Sequence, residues 1–232
     1  MKLSIVIPCY NEAETISKLL DRFSNVINSS DIEVILVNNG STDNSSEIIE
    51  ELLPKYAFAK CITVPVNQGY GYGILQGLDI AQGEYIGWTH ADMQTDPADV
   101  IKAYDIISKS KNKIYVKGNR KGRPLFDKIF TWGMNIFESL YFKTIMTDIN
   151  AQPNIFPREL YDKWDNPPYD FALDLYALYT AKKYCLQIIR FPVLFPERIY
   201  GESKWNNEGI KSKLKFIKRT LQFSVELKNR IQ

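Results

Sequence analysis

A short polar run from His90 to Asp96 contains the residue types best suited to chemistry on phosphates. It follows the apolar run Tyr-Ile-Gly-Trp, and Pro97 comes directly after it. In an open α/β sheet, ligands bind beyond the carboxyl ends of the strands. If the run stays extended, the alternate residues His90, Asp92 and Gln94 share one face. The run therefore indicates a metal-diphosphate site, or else a solvated turn in which Asp96 caps the helix that Pro97 begins.

The elements that must position this run are predicted from the apolar pattern of the chain. Buried strands are expected where apolar, β-branched residues cluster, and helices where apolar residues recur at helical spacing. The predicted strands of the first half are residues 3–9, 32–37 and 58–64 and the apolar run before His90. Helices follow these strands, the first of them capped by Asn11. This alternation predicts an α/β fold with a mainly parallel, Rossmann-like sheet covered by helices on both faces.

The pattern is less regular after Pro97. The predicted elements are a helix over 100–110, a strand over 114–117, a basic loop over 118–123, an apolar helix over 125–146, a strand over 148–156, a helix over 171–183, a strand over 186–194 and a mobile loop over 199–207. The apolar helix is typical of a buried core helix, a subunit interface or a membrane surface. From residue 210 a C-terminal amphipathic helix is predicted, which either packs on the domain or lies on an anionic membrane. Its apolar stripe consists of Ile210, Leu214, Ile217, Leu221 and Val225.

The composition is that of a globular protein, with 232 residues of which 45% are hydrophobic and 24% charged. The net charge of +2 is small, and we expect no nucleic-acid partner. The three cysteines have neither a pairing pattern nor metal-ligand spacing, which suits a reducing cytosol. No apolar run is long enough to span a bilayer, and the N-terminal run is too short for a signal peptide. We therefore expect a cytoplasmic protein, either free or peripheral on the cytoplasmic face of a membrane.

Several motifs in order along the chain resemble those of the family 2 glycosyltransferases, whose catalytic domain has the GT-A fold. These motifs are residues 4–12, 37–43, 67–69, 81–86 and 90–94. The later motifs are similar to the branch that transfers sugars to polyprenyl phosphates and is related to dolichol-phosphate mannose synthase. These later motifs are residues 117–120, 171–174 and 198–204. The resemblance implies an inverting GT-A glycosyltransferase domain over residues 1–205, followed by a basic amphipathic helix over 206–232.

The resemblance also implies roles for individual residues. Asp92 and Gln94 would hold Mg²⁺ or Mn²⁺ on the diphosphate, since hard cations take oxygen ligands. The donor nucleotide would lie over Pro8, Tyr10, Glu12, Asn39, Asn67, His90 and Ala91. The catalytic residues would be Asp92, Asp148 and Arg198, of which Arg198 neutralises the leaving group. The acceptor would be bound by Arg120, Arg123 and Lys204.

The chain departs from the family pattern at two places. His90 stands where the family usually has aspartate. Because magnesium rarely takes imidazole, a hydrogen bond from His90 within the turn, or to ribose or phosphate, is favoured over metal ligation. Asn38 and Asn39 stand where aspartates are common. By resemblance Asn39 faces the base, and its amide matches the edge of a pyrimidine, so a pyrimidine nucleotide sugar is favoured as the donor over GDP-mannose.

The acceptor is argued from charge. A phosphate acceptor is already ionised near neutral pH and needs cations rather than a general base. A sugar hydroxyl would need a carboxylate base, for which Asp148 and Asp174 are the candidates. Transfer to a polyprenyl or dolichyl phosphate is the first interpretation. Extension of a polysaccharide or lipid-linked glycan at a sugar hydroxyl is the first alternative, and a non-catalytic nucleotide-sugar-binding subunit is the second. A homo-oligomer formed through the apolar helix also stays open.

Overall fold

A seven-stranded sheet forms the centre of the computed structural model, which describes residues 1–123, 125–196 and 209–231. The strands are β1 (Leu3–Cys9), β2 (Ile32–Asn39), β3 (Ala59–Val64), β4 (Tyr85–Trp88), β5 (Ile114–Lys121), β6 (Asn154–Pro157) and β7 (Gln187–Leu194). Their order across the sheet is β3-β2-β1-β4-β6-β5-β7. β6 runs antiparallel to both of its neighbours, and the other described pairs are parallel. The predicted mainly parallel sheet is confirmed.

Helices cover both faces of this sheet. They are α1 (Ala13–Val26), α2 (Ser45–Leu52), α3 (Tyr70–Ile80), α4 (Pro97–Ser108), α5 (Leu125–Tyr141), α6 (Arg158–Tyr161), α7 (Leu173–Lys183) and α8 (Gly209–Ile231). The core on one face includes residues of α1, α2 and α4. The core on the other face includes residues of α3, α7 and α8. Strands buried on both faces are mostly apolar, which explains the nearly continuous apolar runs in the sequence. Within the described parts of the chain, no helix is long and apolar enough to cross a bilayer.

Three predictions in the second half of the chain were wrong in detail. Residues 118–121 belong to strand β5 and not to a loop, because β5 pairs with β7 along its whole length. The pairing runs from Ile114 opposite Gln187 to Lys121 opposite Leu194. The strand predicted over 148–156 is confined to β6, since a turn closed by Ala151 N and Asp148 O at 3.1 Å comes first. The apolar helix predicted over 125–146 ends at Tyr141.

Asn11 does not cap the first helix. α1 begins at Ala13 with Glu12 at the N-cap position, and Asn11 has a positive φ of 56°. The Asn11 side chain instead bonds the loop after β2, accepting from Thr42 N at 2.8 Å and donating to Thr42 Oγ1 at 3.2 Å. Two loops at the carboxyl edge of the sheet are therefore tied to each other.

The C-terminal helix packs on the domain over its described part. There Phe223, Ser224 and Leu227 are buried, whereas Ile217 and Leu221 of the predicted stripe are half-buried and Val225 is 47% exposed. The side chains of Ile210 and Leu214, also in that stripe, lie outside the described residues. Ser224 donates to the buried carboxylate of Glu138 on α5 at 2.7 Å. α8 therefore lies against α5 over its described side chains, which span residues 217–229.

Two glycines allow the chain before β6 to approach the sheet closely. A Cβ at Gly87 would lie 1.9 Å from Asn154 O, and one at Gly118 would lie 2.0 Å from Gln152 O. Any larger residue would push this backbone away from β4 and β5. The turn over residues 148–153 is thereby held against the carboxyl end of β5, beside the end of β4 where the polar run begins.

Candidate functional site

The polar run forms a compact turn at the carboxyl end of β4. Met93 has a positive φ of 59°, so the run is not extended and its alternate residues do not line one strand face. Gln94 N donates to Asp92 Oδ1 at 3.0 Å within the turn. Thr89 and Thr95 close the base of the turn through their hydroxyls at 2.9 Å. The condition of an extended run is therefore not met, because a local side-chain bond folds the backbone back.

At the end of the turn Asp96 caps the helix that Pro97 begins, as one of the two interpretations of the polar run predicted. Asp96 Oδ1 accepts from Ala98 N at 2.8 Å, and Pro97 occupies the first turn of α4. Arg22 also binds the Asp96 carboxylate with two N–H groups, at 2.9 and 3.0 Å. Burial raises the pKa of Asp96, but the hydrogen bonds from Arg22 and Ala98 N and the charge of Arg22 together outweigh it, so the pKa of this carboxyl stays below its usual value. Asp96 thus anchors the helix, and the chemistry of the run is left to the residues before it.

The predicted nucleotide residues lie along one edge of the sheet. β1, β2 and β4 are parallel neighbours, so the loops after them meet at the same edge. That edge carries Pro8, Tyr10, Glu12, Asn39, His90 and Ala91, and the loop before α3 adds Asn67. Asn39 is buried and donates from Nδ2 to Gly69 O at 2.8 Å. Asn67 Oδ1 accepts from Gly69 N at 2.9 Å, so the two asparagines shape the same loop.

Gln94 contacts the segment that follows β7. Its Nε2 donates to Pro196 O at 2.9 Å, which leaves the amide oxygen as the atom available to a cation. The predicted residues Arg198 and Lys204, and the predicted loop over 199–207, lie outside the described residues.

The described side chains contain no cluster of three or more His, Cys, Asp or Glu residues that could enclose a metal ion. A divalent cation bound to a diphosphate does not need such a cluster, since Mg²⁺ commonly takes one or two protein oxygens and completes its shell with phosphate and water. Asp92 and Gln94 lie in one turn and offer a carboxylate and an amide oxygen. The donor set therefore fits a metal held mainly by a bound nucleotide.

A buried polar network lies under the turn, and sequence reasoning missed most of it. Asp174 is 2% exposed and accepts from Gln152 Nε2 at 3.0 Å and Asn154 Nδ2 at 3.1 Å. Lys117 Nζ donates to Ala151 O at 2.8 Å and to Asn154 Oδ1, and lies 3.9 Å from Asp174 Oδ1. Burial lowers the pKa of Lys117 to about 7 and raises the pKa of Asp174. The network holds the turn before β6 in place.

His90 faces this network from the end of β4. Its ring centroid lies 6.1 Å from that of Tyr70, which stacks on Phe171 at 5.0 Å. Burial raises the pKa of Asp174, and the charges of Lys117 and His90 oppose that rise. An aspartate in place of His90 would set a second negative charge toward the buried Asp174. We therefore expect aspartate at position 90 to be less favourable than histidine in this chain.

A cluster of arginines surrounds Asp148. Arg120 binds this carboxylate through its backbone N and its Nε, each at 2.8 Å, and through Nη2. Arg123 Nη1 lies 4.0 Å from Asp148 Oδ1 and donates to Thr131 Oγ1 at 3.0 Å. Burial raises the pKa of Asp148, but the charge and hydrogen bonds of Arg120, with the charge of Lys117, together outweigh it and hold the pKa below its usual value. The structure thus brings Asp148, which the resemblance implied as catalytic, together with Arg120 and Arg123, which were predicted to bind the acceptor.

A further arginine, Arg190 on β7, joins the same cluster. It donates to Gly118 O at 3.1 Å and to Thr147 O. Sequence reasoning missed Arg190 because it reaches the site only through the pairing of β7 with β5. Among the described side chains, the cluster holds the guanidinium groups of Arg120, Arg123 and Arg190 and the carboxylate of Asp148. Guanidinium groups gathered in this way suit an anionic ligand.

A small cavity of about 50 Å³ begins at Arg120. Its walls are mostly apolar, with Met134 from α5, Ile149 from the turn, and Phe171 and Leu175 near α7. Thr220 of α8 also reaches it. The site therefore has two parts, a polar edge over β1, β2 and β4, and a cationic cluster that opens into an apolar cavity.

The parallel strands and the polar turn at their carboxyl edge define an open α/β domain with a ligand crevice at that edge. Over residues 4–182 the chain matches the model of glycosyl transferase family 2, and it belongs to this family. The family expected from the motifs is confirmed.

The curated relatives span related activities. The chain is 26% identical to a dolichol-phosphate mannosyltransferase of Pyrococcus furiosus, over 98% of this chain and 66% of that protein. It is 24% identical to an undecaprenyl-phosphate 4-deoxy-4-formamido-L-arabinose transferase of Proteus mirabilis, over 88% of this chain and 63% of that protein. It is 32% identical to an uncharacterized glycosyltransferase of Bacillus subtilis, YkcC, over 88% of this chain and 64% of that protein. The chain thus spans about two thirds of the length of these relatives.

Among solved structures, the fold is similar to that of glucosyl-3-phosphoglycerate synthase from Mycobacterium tuberculosis. The TM-score is 0.70 at 18% identity, over 91% of this chain and 76% of the other. That protein was crystallised with Mn²⁺, uridine-diphosphate and glucosyl-3-phosphoglycerate. At this identity the likeness concerns the fold, and it confirms the GT-A fold expected from the sequence.

Proposed function

We propose that this chain transfers a sugar, with inversion, from a nucleotide-diphosphate sugar to a polyprenyl or dolichyl phosphate. The observation that carries the proposal is the cluster of arginines at the mouth of a mostly apolar cavity. A phosphate group would bind the cations, and the chain attached to it would enter the cavity. The names of two relatives, which act on dolichol phosphate and undecaprenyl phosphate, support the same acceptor class.

The two carboxylates near the acceptor cavity are poorly suited to activating a sugar hydroxyl. Asp174 is buried, and two amide groups already donate to it. Asp148 is held ionised by Arg120, and a lowered pKa makes a carboxylate a weaker base. An acceptor that arrives already ionised needs no such base. The engagement of both carboxylates therefore favours phosphate over a hydroxyl as the acceptor.

In the proposed reaction, a phosphate oxygen of the acceptor attacks the anomeric carbon of the donor sugar. The new bond joins that carbon to the acceptor oxygen, and the bond from the carbon to the donor diphosphate breaks. The nucleoside diphosphate leaves with the electron pair, and no proton has to move. Arg120 and Arg123 hold the acceptor phosphate, and Asp148 orients Arg120. Asp148 therefore has a positioning role near the reacting groups and does not act as a general base.

The donor is proposed to lie along the polar edge, over Pro8, Tyr10, Glu12, Asn39, Asn67, His90 and Ala91. Asp92 and Gln94 would hold Mg²⁺ or Mn²⁺, which when bound neutralises charge on the departing diphosphate. After its bonds to the loop, the side-chain amide of Asn39 keeps one N–H and one oxygen lone pair. These match an acceptor and a donor on the edge of a pyrimidine base. Arg198 is proposed to neutralise the leaving group and Lys204 to bind the acceptor.

The proposal includes the organisation and location of the protein. Residues 1–205 would form the catalytic domain and residues 206–232 the C-terminal helix. The protein would act on the cytoplasmic side, where nucleotide sugars and the phosphate end of a membrane lipid can meet.

A donor and acceptor panel tests this proposal. UDP-, dTDP-, CDP- and GDP-sugars would each be combined with a short-chain polyprenyl phosphate or with soluble sugar acceptors, in Mg²⁺, Mn²⁺ or chelator. We expect metal-dependent transfer to the prenyl phosphate from a pyrimidine nucleotide sugar. Transfer only to sugar hydroxyls would support glycan extension instead, and donor binding without transfer or hydrolysis would support a binding subunit.

One variant distinguishes a loss of acceptor binding from a general loss of structure or activity. Arg123→Gln should raise the KM for prenyl phosphate at least tenfold, with the KM for the donor unchanged, because it removes one cation from the acceptor cluster and leaves the Arg120–Asp148 pair intact. Lys111→Gln makes the same charge change at an exposed lysine between α4 and β5, and it should have no effect. Equal changes in both variants would contradict the acceptor site.

A further inference from the structure

The loop that would hold the donor nucleotide is packed against a segment from the other half of the chain. Residues 67–69, which we call the donor loop, lead directly into α3. Residues 168–171, which we call the pre-α7 segment, come shortly before α7. A backbone bond joins the two, in which Tyr72 N donates to Tyr169 O at 3.0 Å, and the two tyrosine rings meet edge-on at 5.2 Å. The first turn of α3 is thus attached to the pre-α7 segment.

Two glycines let these backbones lie directly against each other. A Cβ at Gly69 would lie 2.5 Å from Tyr169 O. A Cβ at Gly71 would lie 2.6 Å from Pro168 O and 2.7 Å from Asp170 O. A side chain at either position would overlap the pre-α7 segment, so only glycine permits this approach. A displacement of the pre-α7 segment therefore meets the backbone of the donor loop and of α3 with no flexible side chain between them.

The donor loop in turn holds Asn39, the residue proposed to contact the base. Asn39 Nδ2 donates to Gly69 O at 2.8 Å. Further along α3, a Cβ at Gly73 would lie 3.1 Å from the same nitrogen, so the helix backbone also borders this amide. A shift of the loop would turn the Asn39 amide, and hydrogen bonds weaken steeply when donor and acceptor are misaligned. The position of the pre-α7 segment therefore bears on donor binding.

An ion pair with the C-terminal helix fixes the pre-α7 segment. Arg219 of α8 donates from Nε to Asp170 Oδ2. The other oxygen of Asp170 accepts from Ala172 N at 2.9 Å, just before α7. Arg219 Nη1 also donates to Glu226 Oε1 at 3.4 Å, and the guanidinium lies 5.9 Å from the ring centroid of the buried Phe223. Asp170 is therefore held from α7 and α8 at once, by an arginine that is itself held within α8.

The ion pair stands beside the donor loop. Arg219 and Asp170 line a cavity of about 320 Å³ together with Gln68, the middle residue of that loop. The two charged side chains are 43% and 34% exposed, and an ion pair this exposed adds little to the stability of a whole domain. Its effect should therefore be local, on the segment that it holds and on the loop packed against that segment.

We propose that Arg219 is a positioning residue for the donor loop and acts through Asp170. α8 holds the pre-α7 segment, this segment holds the first turn of α3, and that turn sets the direction of the Asn39 amide. The hold on the loop stands on the contacts alone, whereas its use in binding a nucleotide rests on the proposed function.

Hydrogen exchange measured by NMR tests the hold on the loop without any nucleotide. The amide of Tyr72 should exchange about fivefold faster in Arg219→Gln, which is the most that so exposed an ion pair supplies. Arg219→Lys keeps a cation beside Asp170 and should recover part of the protection. The matched control is Lys228→Gln, which makes the same charge change on α8, where Lys228 Nζ donates to Tyr141 O at 3.1 Å, and should leave the Tyr72 amide unchanged. Unchanged protection in Arg219→Gln, or an equal loss in the control, would overturn the proposal.

Calorimetric titration with UDP and Mn²⁺ tests the use of the contact. Arg219→Gln should raise the Kd for UDP about fivefold, and the KM for the donor with it, while kcat at saturating donor stays unchanged. A contact that served the fold alone would lower the urea midpoint and leave the affinity for UDP as it was. Asp170→Asn keeps an oxygen for Ala172 N and should have the same effect as Arg219→Gln. The double variant should be no worse than either single variant, and additive losses would overturn the route through Asp170.

The outcomes separate this inference from the proposed function. If the Tyr72 amide loses protection in Arg219→Gln but the unaltered chain binds neither UDP nor another nucleoside diphosphate, the hold on the loop stands and the donor proposal fails. If the unaltered chain binds UDP and Arg219→Gln binds it equally well, the donor proposal stands and Arg219 has no positioning role.

Discussion

Replacing Glu138 by glutamine should make the protein more stable at alkaline pH. Glu138 is fully buried between α5 and α8, where the Ser224 hydroxyl donates to its two oxygens at 2.7 and 3.0 Å. Burial raises the pKa of Glu138 to about 7, and the hydrogen bond from Ser224 only partly opposes this. Glutamine has nearly the shape of the protonated acid but cannot ionise, so Glu138→Gln removes the charge and little else.

The size and sign of the effect follow from the pKa. The folded value of about 7 exceeds the ordinary value of 4.5, so between these values the folded state binds more protons than the unfolded state. The free energy of unfolding of the unaltered protein therefore falls as the pH rises from 4.5 through 7, and is flat above that. One pKa unit corresponds to about 1.4 kcal/mol, so the whole loss is about 3 kcal/mol. Glu138→Gln should not show this loss.

Urea unfolding at a series of pH values between 4.5 and 8.5 measures the effect. The difference in unfolding free energy between Glu138→Gln and the unaltered protein should move by about 3 kcal/mol in favour of the variant over this range. Any constant cost of the amide cancels in that comparison. Glu50→Gln, at an exposed position on α2, is the control and should show no such movement. A difference that stays constant with pH would refute the buried, ionising carboxyl.

Three further substitutions test the site. Asp92→Asn should lower the rate of sugar transfer at least 100-fold, which corresponds to a barrier higher by about 3 kcal/mol. Its circular dichroism should be unchanged, and the control Asp99→Asn on α4 should stay active. His90→Asp should destabilise the fold by about 1 kcal/mol in urea unfolding, because the new carboxylate faces the buried Asp174, and should tighten Mg²⁺ binding in calorimetry. Lys117→Met should lower the free energy of unfolding by about 3–5 kcal/mol, because it leaves the buried carboxylate of Asp174 without its nearest cation. Adding Asp174→Leu should recover much of that loss. Additive losses in the double variant would contradict the coupling between Lys117 and Asp174.

The nucleotide edge could be predicted from the sequence because local patterns determine it. β1, β2 and β4 are buried on both faces, so each is visible as an apolar run that ends in polar residues. Once these strands are parallel, their carboxyl ends must meet. The cap at Asp96 was also predictable, since Asp followed by Pro is a local helix-start signal. The compact shape of the polar run was not predictable in the same way, because one bond from Gln94 N to Asp92 decides it.

The acceptor side could not be predicted to the same depth because its contacts join distant parts of the chain. Arg120 meets Asp148 only after the turn before β6 is folded against β5. That approach depends on Gly118, and the strand character of Arg120 depends on pairing with β7. A usable signal did exist at Lys117, a lysine within the apolar strand Ile-Tyr-Val-Lys, where a charge must find a partner if the strand is buried.

His90 shows how a site residue can be seen in the sequence and still not be understood from it. The sequence identifies it as a departure from the family pattern, and metal chemistry alone argues only that it is a poor ligand for magnesium. The structure adds that Asp174, from the other half of the chain, is buried opposite it with Lys117 as its nearest cation. Because a buried carboxylate tolerates a cation nearby and not a second anion, positions 90 and 174 constrain each other. Restoring aspartate at 90 alone should therefore be costly, whereas His90→Asp combined with Asp174→Asn should recover the lost stability. If the double variant is no more stable than His90→Asp, the charge of Asp174 is not what selects histidine.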